Sequence, residues 1–392
     1  LKTELFLSQE VQQYIQDHLN SDLTKIAFKK SPFEDISMSD LLTQIESKKK
    51  TKDKLPTWFE TENILFPKKL SIEQTSSEPC ASYKASLISG DTLIDLTGGF
   101  GIDCYYFSKN IKQVLHCEMQ EDLSEIVRLN NQALGVDNIK CHTGDSLDYL
   151  AQHNQPWDYI YVDPHRRNDS KEKVFFLSDC APNVPEHLDL LFSRSTNILI
   201  KTSPLLDIQA GLNELKHVKS IHIVALHNEV KELLWILEKD YTGSVELNAV
   251  NLTKDDTQLF ISSLDDNSTS LFSEPKQYLY EPNAAILKTG RFDAISKQFN
   301  LHKLHPHSHL YTSDALIDFP GRRFTIEQII PYNKQEAKKH LLNTKANVTT
   351  RNFPIKVEEI RKKWKIKDGG DTYIFFTTNI KSERIFIICS RT

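Results

Sequence analysis

The 392-residue sequence predicts an α/β architecture: a mostly parallel, doubly wound sheet in the middle of the chain, helices before it and smaller α+β modules after it. Two observations predict it. From about residue 86 to 263 short apolar runs alternate with helically spaced ones, the pattern of a parallel sheet with helical crossovers. The second is Asp91 to Gly101, DTLIDLTGGFG. Leu93, Ile94 and Leu96 read as a buried strand, and Gly98, Gly99 and Gly101 as the tight turn after it. A strand, a glycine turn and a helix form the phosphate- or nucleoside-facing corner of such a sheet.

The elements follow in order. Residues 1–85 form an N-terminal helical region, with a helical stripe at Leu5, Leu7, Val11, Tyr14, Ile15 and Leu19 and a second amphipathic helix around Asp40 to Lys48. Lys48 to Lys54 reads as an exposed helix end. Ser71 to Glu78 is polar and turn-prone, either a loop that folds over a ligand or a plain linker. Residues 86–263 form the sheet domain, with strands at 92–96, 113–119, 139–145, 158–163, 197–202, 220–226, 245–252 and 257–263. Helices are expected at Asp122 to Leu134 and at Asn228 to Leu237, where Val230, Leu233, Leu234 and Leu237 share one face. A Ser-rich linker at 264–275 precedes a small segment at 276–318. Residues 319–392 make a compact terminal module, with strands at 323–330, 373–378 and 384–389 and helices at 334–342 and 354–364.

Composition narrows the function classes. No apolar run approaches the ~18–20 residues of a membrane-spanning helix, so no membrane partner is expected. The six cysteines are scattered without a CxxC pair, which reads as free thiols of a reducing cytoplasm with no disulfide framework and no structural metal. His302, His305, His307 and His309 lack Cys or acidic partners at ligand spacing, and no metal is expected there either. Gly321 to Thr392 carries 16 Lys/Arg against 7 Asp/Glu, a local +9, which leaves 32 against 46, or −14, on the rest. Such asymmetry points to a polyanionic partner at the basic end.

The acids then select the ligand. Asp95 ends the first strand just before the glycines, where a carboxylate repels a pyrophosphate and attracts a cationic ligand end. Glu118 ends the second strand about 20 residues past the glycines, where an acid accepts both ribose hydroxyls. Asp145 ends the third, placed to accept an adenine amino group, and Asp163 ends the fourth. Carboxylates at four consecutive strand ends describe a nucleoside with a positive tail better than a nicotinamide dinucleotide.

DLTGGFGID, HCEM, TGDS and YVDPHRR resemble the ordered motifs of class I S-adenosylmethionine-dependent methyltransferases. EQTSSEPCASYKA, VDPHRR, HNEVKELLWIL, YLYEPNAAILKTG and NVTTRNFP…GGDTYIFFTT together resemble the bacterial THUMP-like-domain methyltransferases, over nearly the whole chain. The resemblance implies a Rossmann-like class I methyltransferase sheet with an N-terminal helical region and C-terminal ferredoxin-like and THUMP-like modules. It also implies S-adenosyl-L-methionine as cofactor and a C-terminal end that binds RNA. Asp95, Thr97, Gly98, Gly99, Gly101, Glu118, Met119, Asp145, Ser146 and Asp163 are the expected cofactor residues.

Asp163, Pro164 and His165 are the expected catalytic residues. Enzymes that methylate amines commonly carry Asp/Asn/Ser-Pro-Pro-aromatic at this place. This sequence keeps Asp-Pro but has His165 and Arg166 next, which puts ordinary methylation of the adenine amino group in doubt. His165 reads as a stacking residue or general base. Arg166 and Arg167 either grip a substrate phosphate or carboxylate or brace the loop against Asp163 or Asp169. Cys180 reads as a buried structural thiol, and Lys201 to Pro204 as the far wall of the pocket. In the terminal module Arg351, Lys362 and Lys363 are the expected RNA contacts, with Phe353 and Trp364 read as core. Two rival readings remain: a methyltransferase of a small molecule or protein, and a non-catalytic RNA-binding protein that has kept the fold. Oligomeric state is not legible.

Overall fold

The computed structural model describes residues 3–166 and 176–392, with the side chain of Arg166 outside that description. The chain divides into two compact units. One comprises residues up to Ile221 together with Glu232–Gly243, and the other His222–Lys231 with Ser244–Thr392.

The first unit is built on strands β1 (Gly90–Asp95), β2 (Ile111–Glu118), β3 (Ile139–Thr143), β4 (Tyr159–Val162), β5 (Asn197–Thr202), β6 (Val218–Leu226) and β7 (Glu229–Glu238), in the order 3-2-1-4-5-7-6. Strands 1 to 5 are parallel, and β7 runs antiparallel to β5 with Thr202 opposite Leu233. The central strands are apolar throughout because helices bury both faces: Leu93, Ile94, Ile160, Val162, Ile198, Ile200 and Leu233 are all essentially inaccessible. The order reverses direction beside β1, so the C-terminal ends of β1, β2 and β4 open onto a switch-point crevice. The last two strands, β6 and β7, form a hairpin that belongs in part to each unit.

That hairpin corrects one expectation. Asn228 to Leu237, with its helical spacing, is strand β7. His227 and Asn228 both have positive φ, at 51° and 67°, the left-handed pair that a two-residue hairpin turn requires. The following residues run buried at four consecutive positions, Glu232 to Trp235. A strand buried on both faces loses its alternation, so a helical period can be read into it.

Ahead of the sheet, helices cover Gln9–Asp17 and Met38–Thr51, each capped by a serine side chain on the third residue beyond it. Ser71 to Glu78 is not a plain loop: a helix spans Lys69–Gln74, and Glu78 opens the helix Glu78–Ser86. Glu78 is buried because its carboxylate accepts from the Thr57 amide, the Thr57 hydroxyl and the Tyr106 hydroxyl. The expected exposed lysine run is exposed only in part, since Lys48 and Thr51 face inward.

In the second unit, β8 (Glu246–Leu252) and β9 (Thr257–Ser263) pair antiparallel. An eight-stranded sheet among the described residues is formed by β10 (Tyr278–Pro282), β11 (Tyr311–Ser313), β12 (Gly321–Pro331), β13 (Asn347–Thr350), β14 (Thr372–Thr378), β15 (Arg384–Arg391) and two two-residue strands, 271–272 and 302–303. Residues 271–272 lie in the stretch expected to be linker. The sheet runs unbroken from the small segment into the terminal module, because Leu279 of β10 pairs with Phe324 of β12. Helices Lys334–Leu341 and Val357–Trp364 close a core of Ile360, Trp364, Phe376 and Phe386, with Phe353 packed at its margin.

Candidate active site

The site lies wholly in the first unit, at the C-terminal ends of the strands. The turn after β1 is held down from below. Gly99 and Gly101 adopt φ of 54° and 78°, conformations an L side chain rarely takes. At Gly98 a Cβ would lie 2.4 Å from the His116 ring. His116 is fully buried in β2, its Nε2 is 3.2 Å from the Gly99 carbonyl, and burial lowers its pKa. A Cβ at Gly99, by contrast, would meet nothing closer than the Thr97 carbonyl at 3.7 Å, so the outer side of the turn is open to a ligand.

The strand-end acids divide into two kinds. Glu118 clasps the turn: one carboxylate oxygen accepts from Gly99 N–H at 3.0 Å and the other from Gln120 N–H at 2.8 Å. Asp145 caps the helix Ser146–Gln152, taking the Leu147 and Asp148 amides on Oδ1 alone. Asp95 differs from the expectation of an acid open to a ligand. It is buried, and its oxygens accept from the Thr97 amide at 2.9 Å, the Thr97 hydroxyl and the Cys104 thiol at 3.1 Å. Burial pushes its carboxyl up to about 7 against those bonds. Asp95 therefore shapes the turn from within.

The remaining predicted residues tie these parts together. Thr97 Oγ1 accepts the Asp163 amide at 2.7 Å, linking the turn to the end of β4, and Ser146 donates to the Leu96 carbonyl at 2.8 Å. Met119 is 71% exposed at the end of β2, an apolar side chain left free where a flat ring could be covered. Pro164 is buried and His165 exposed. Arg167 and Asp169 lie outside the described residues, as does the Arg166 side chain.

Four further charged residues, Lys201, Glu232, Lys84 and Asp103, which the sequence reading left unassigned or gave only to the pocket wall, form a cluster that reaches Asp163 through Lys201. Lys201, at the end of β5, forms an ion pair with Asp163. Lys84, fully buried in the helix before β1, contacts Asp103 at 2.9 Å and Glu232 at 3.4 Å. Tyr161 donates to Asp103 at 2.7 Å and Ser76 to the same carboxylate at 3.1 Å. Burial opposes the charge on Lys201, but Asp163, Glu232 and Asp103 outweigh it and hold the ammonium well above its usual pKa. Burial raises Glu232, with Lys84 and Lys201 pulling the other way. The available signal was a charge beside apolar residues: the lysine of ASYKA and the second glutamate of EVKELLWIL, which opens the run Leu233 to Leu237.

The predicted contacts of the terminal module are placed differently from one another. Lys362 and Lys363 are exposed, with Lys363 Nζ 5.2 Å from the Trp364 ring centre. Arg351 instead donates to Glu281 at 2.7 Å, beside Arg322 on the other carboxylate oxygen. His309 stacks on Phe292 with ring centres 3.5 Å apart, and burial lowers it to about 4.

Residues 278–320 match a family of ferredoxin-like domains and residues 321–391 a family described as THUMP domain-like. The chain is 31% identical to a protein of Porphyromonas gingivalis W83 provisionally named a methyltransferase, whose crystal structure superimposes with a TM-score of 0.89 over 99% of this chain and 98% of that one. A 70-residue stretch, 18% of this chain and 18% of the other, is 34% identical to the 23S rRNA (uracil(747)-C(5))-methyltransferase RlmC of Vibrio vulnificus (strain CMCP6).

Proposed function

Because the chain belongs to the bacterial THUMP-like-domain family of class I methyltransferases, we propose that it transfers a methyl group from S-adenosylmethionine to RNA. The observation that carries this reading is the turn at Gly98 to Gly101, pinned from below by His116 and clasped by Glu118, with its outer side open. A cationic nucleoside fits that set of groups and a dinucleotide pyrophosphate does not, since Asp95 and Glu118 put carboxylates at the ends of β1 and β2, and Asp145 and Asp163 put them just after β3 and β4.

On this reading Gly98, Gly99 and Gly101 let the backbone approach the ligand, with Thr97 and Ser146 bracing it. Glu118 and Asp145 accept from the ribose and the adenine amino group, Met119 covers the base, and Asp95 holds the turn in shape. The sulfonium supplies a methyl group already activated for displacement. Asp163, Pro164 and His165 then have to align the attacking atom with it, and alignment is where most of the acceleration arises. Arg166 and Arg167 belong to the same mouth as substrate contacts.

The exposed Lys362 and Lys363 of the +9 terminal module neutralise phosphates, with Arg351 the weaker candidate because Glu281 already pairs it. The short likeness to an rRNA methyltransferase supports RNA as the substrate class. The functional division that goes with this reading is 1–85, 86–263, 276–318 and 319–392, acting in the cytoplasm. The test is transfer of tritiated methyl from labelled S-adenosylmethionine to total RNA, protein or small-molecule extract, all taken from cells deleted for this chain. Label in RNA alone is expected. Label only in protein or in the extract overturns the reading.

A further inference from the structure

Resting on the RNA methyltransferase reading, we infer that the methylated atom is a ribose hydroxyl oxygen, received by Asp163 and Lys201 with Glu232 and Lys84 behind them. The four side chains come from four elements: the end of β4, the end of β5, strand β7 and the helix Glu78–Ser86. They form a ladder from the open mouth inward, with side chains 32% exposed at Asp163, 12% at Lys201, 3% at Glu232 and 0% at Lys84.

Neither packing nor the cofactor site explains this ladder. Burying ion pairs costs desolvation that their attraction rarely exceeds, and here the compensation is incomplete, because Glu232 Oε1 is buried without a hydrogen-bond partner among the described residues. Glu118 and Asp145, the acids given to the ribose and the adenine, end β2 and follow β3. What the ladder does supply is a carboxylate at the mouth and an ammonium fixed beside it.

Three classes of RNA nucleophile, amine, pyrimidine carbon and hydroxyl, need different sets of groups. An exocyclic amine, whose lone pair is conjugated with the base, needs an acceptor with an aromatic slab, but His165 and Arg166 stand where the second proline and the aromatic would be. A pyrimidine carbon needs a thiolate to add to the ring first. Cys80, Cys104, Cys117, Cys180 and Cys389 are buried, and burial raises the thiol of Cys141 to about 11. A hydroxyl needs an acceptor for its proton and a cation against the negative charge that grows on oxygen. Asp163 and Lys201 are that pair, and the 2′-hydroxyl is the hydroxyl every internal ribonucleotide offers.

In the step, the 2′-oxygen lone pair forms the new bond to the methyl carbon. The carbon–sulfur bond breaks with its electron pair going to sulfur, which becomes a neutral thioether. The hydroxyl proton passes to the Asp163 carboxylate and from there to water. Lys201 donates a hydrogen bond toward the reacting oxygen. Glu232 is a positioning residue that keeps Lys201 charged, and Lys84 is one that pairs with Glu232 from behind.

The test uses the full chain, tritiated S-adenosylmethionine and total RNA from cells deleted for it, followed by alkaline hydrolysis. A 2′-O-methyl group blocks cleavage at its own nucleotide, so label is expected in alkali-stable dinucleotides. The rate is expected to fall at least ~100-fold in Lys201→Ala and to recover in part in Lys201→Arg. S-adenosylhomocysteine affinity, read by calorimetry, stays within about threefold of wild type in both variants, which separates chemistry from folding. Label in mononucleotides places the methyl on a base, overturning this inference while the RNA reading stands. No label in RNA overturns the RNA reading and this inference with it. A Lys201→Ala enzyme at the wild-type rate removes Lys201 from the site.

Discussion

Glu232 in the first unit and Glu281 in the second are both strand carboxylates with almost no exposure, and both face cations. Their environments differ in one respect. Glu281 is saturated: Arg322 reaches one oxygen through Nε at 2.7 Å and through Nη2, and Arg351 reaches the other at 2.7 Å. Glu232 has Lys84 at 3.4 Å on one oxygen and, among the described residues, no hydrogen-bond partner on the other. A fully satisfied buried carboxylate holds strands together, as Glu281 of β10 does with Arg322 of β12 and Arg351 beyond β13. A half-satisfied one persists where its charge acts on a neighbour, here Lys201. The two clusters therefore separate structure from chemistry within one chain.

Removing each in turn should break that contrast or sharpen it. The largest stability loss is expected in Glu281→Ala, which strands two guanidiniums. About 3 kcal/mol is expected, the low end for a broken buried pair because both arginines reach solvent. Thermal melting reads it, while S-adenosylhomocysteine binding to the first unit stays intact. Gly98→Ala comes next, since a Cβ 2.4 Å from the His116 ring must displace a fully buried side chain. That costs about 1–3 kcal/mol and, unlike Glu281→Ala, weakens ligand binding in calorimetry.

Glu232→Gln should barely move the melting temperature, by less than about 1 kcal/mol, because it removes a buried charge that is only half compensated. Methyl transfer in the same variant falls by about 10–100-fold, the scale of a lost outer-shell partner. A Glu232→Gln protein that melts as early as Glu281→Ala erases the distinction.

The smallest effect is a change of slope. Asp95 has a folded pKa of about 7, above the ordinary carboxylate value of 3.8, so the folded chain holds this proton more tightly than the unfolded one. Its contribution to stability is present below about pH 4 and is lost as pH rises through 7. Asp95→Asn, which keeps the oxygen that accepts from Thr97, should flatten the fall in melting temperature between about pH 4 and 7.

How far the sequence revealed this molecule follows from the same physics. The parallel strands were legible because each is a short apolar run bounded by turns, and the glycine turn because φ near +54° and +78° admits few other residues. Asn228 to Leu237 was misread because burial on both faces erases alternation, and the hairpin signal rested on His227-Asn228 rather than a glycine. That Thr97, Glu118 and Met119 sit at or just past strand ends was legible from where the apolar runs stop. Lys84 and Glu232 were not, since they lie 148 positions apart and their pairing exists only once β7 returns beside β5. Asp95 was placed correctly along the chain, but its inward orientation depends on Cys104, a partner no spacing rule supplies.

The most direct test is calorimetric titration of the full chain with S-adenosylhomocysteine, beside Glu118→Ala. The account predicts micromolar binding by the wild type, weakened at least tenfold, or about 1.4 kcal/mol, when the side chain that clasps the turn is removed. Equal affinity in the two proteins, or no heat from the wild type at millimolar ligand, would contradict a cofactor site at Gly98 to Gly101.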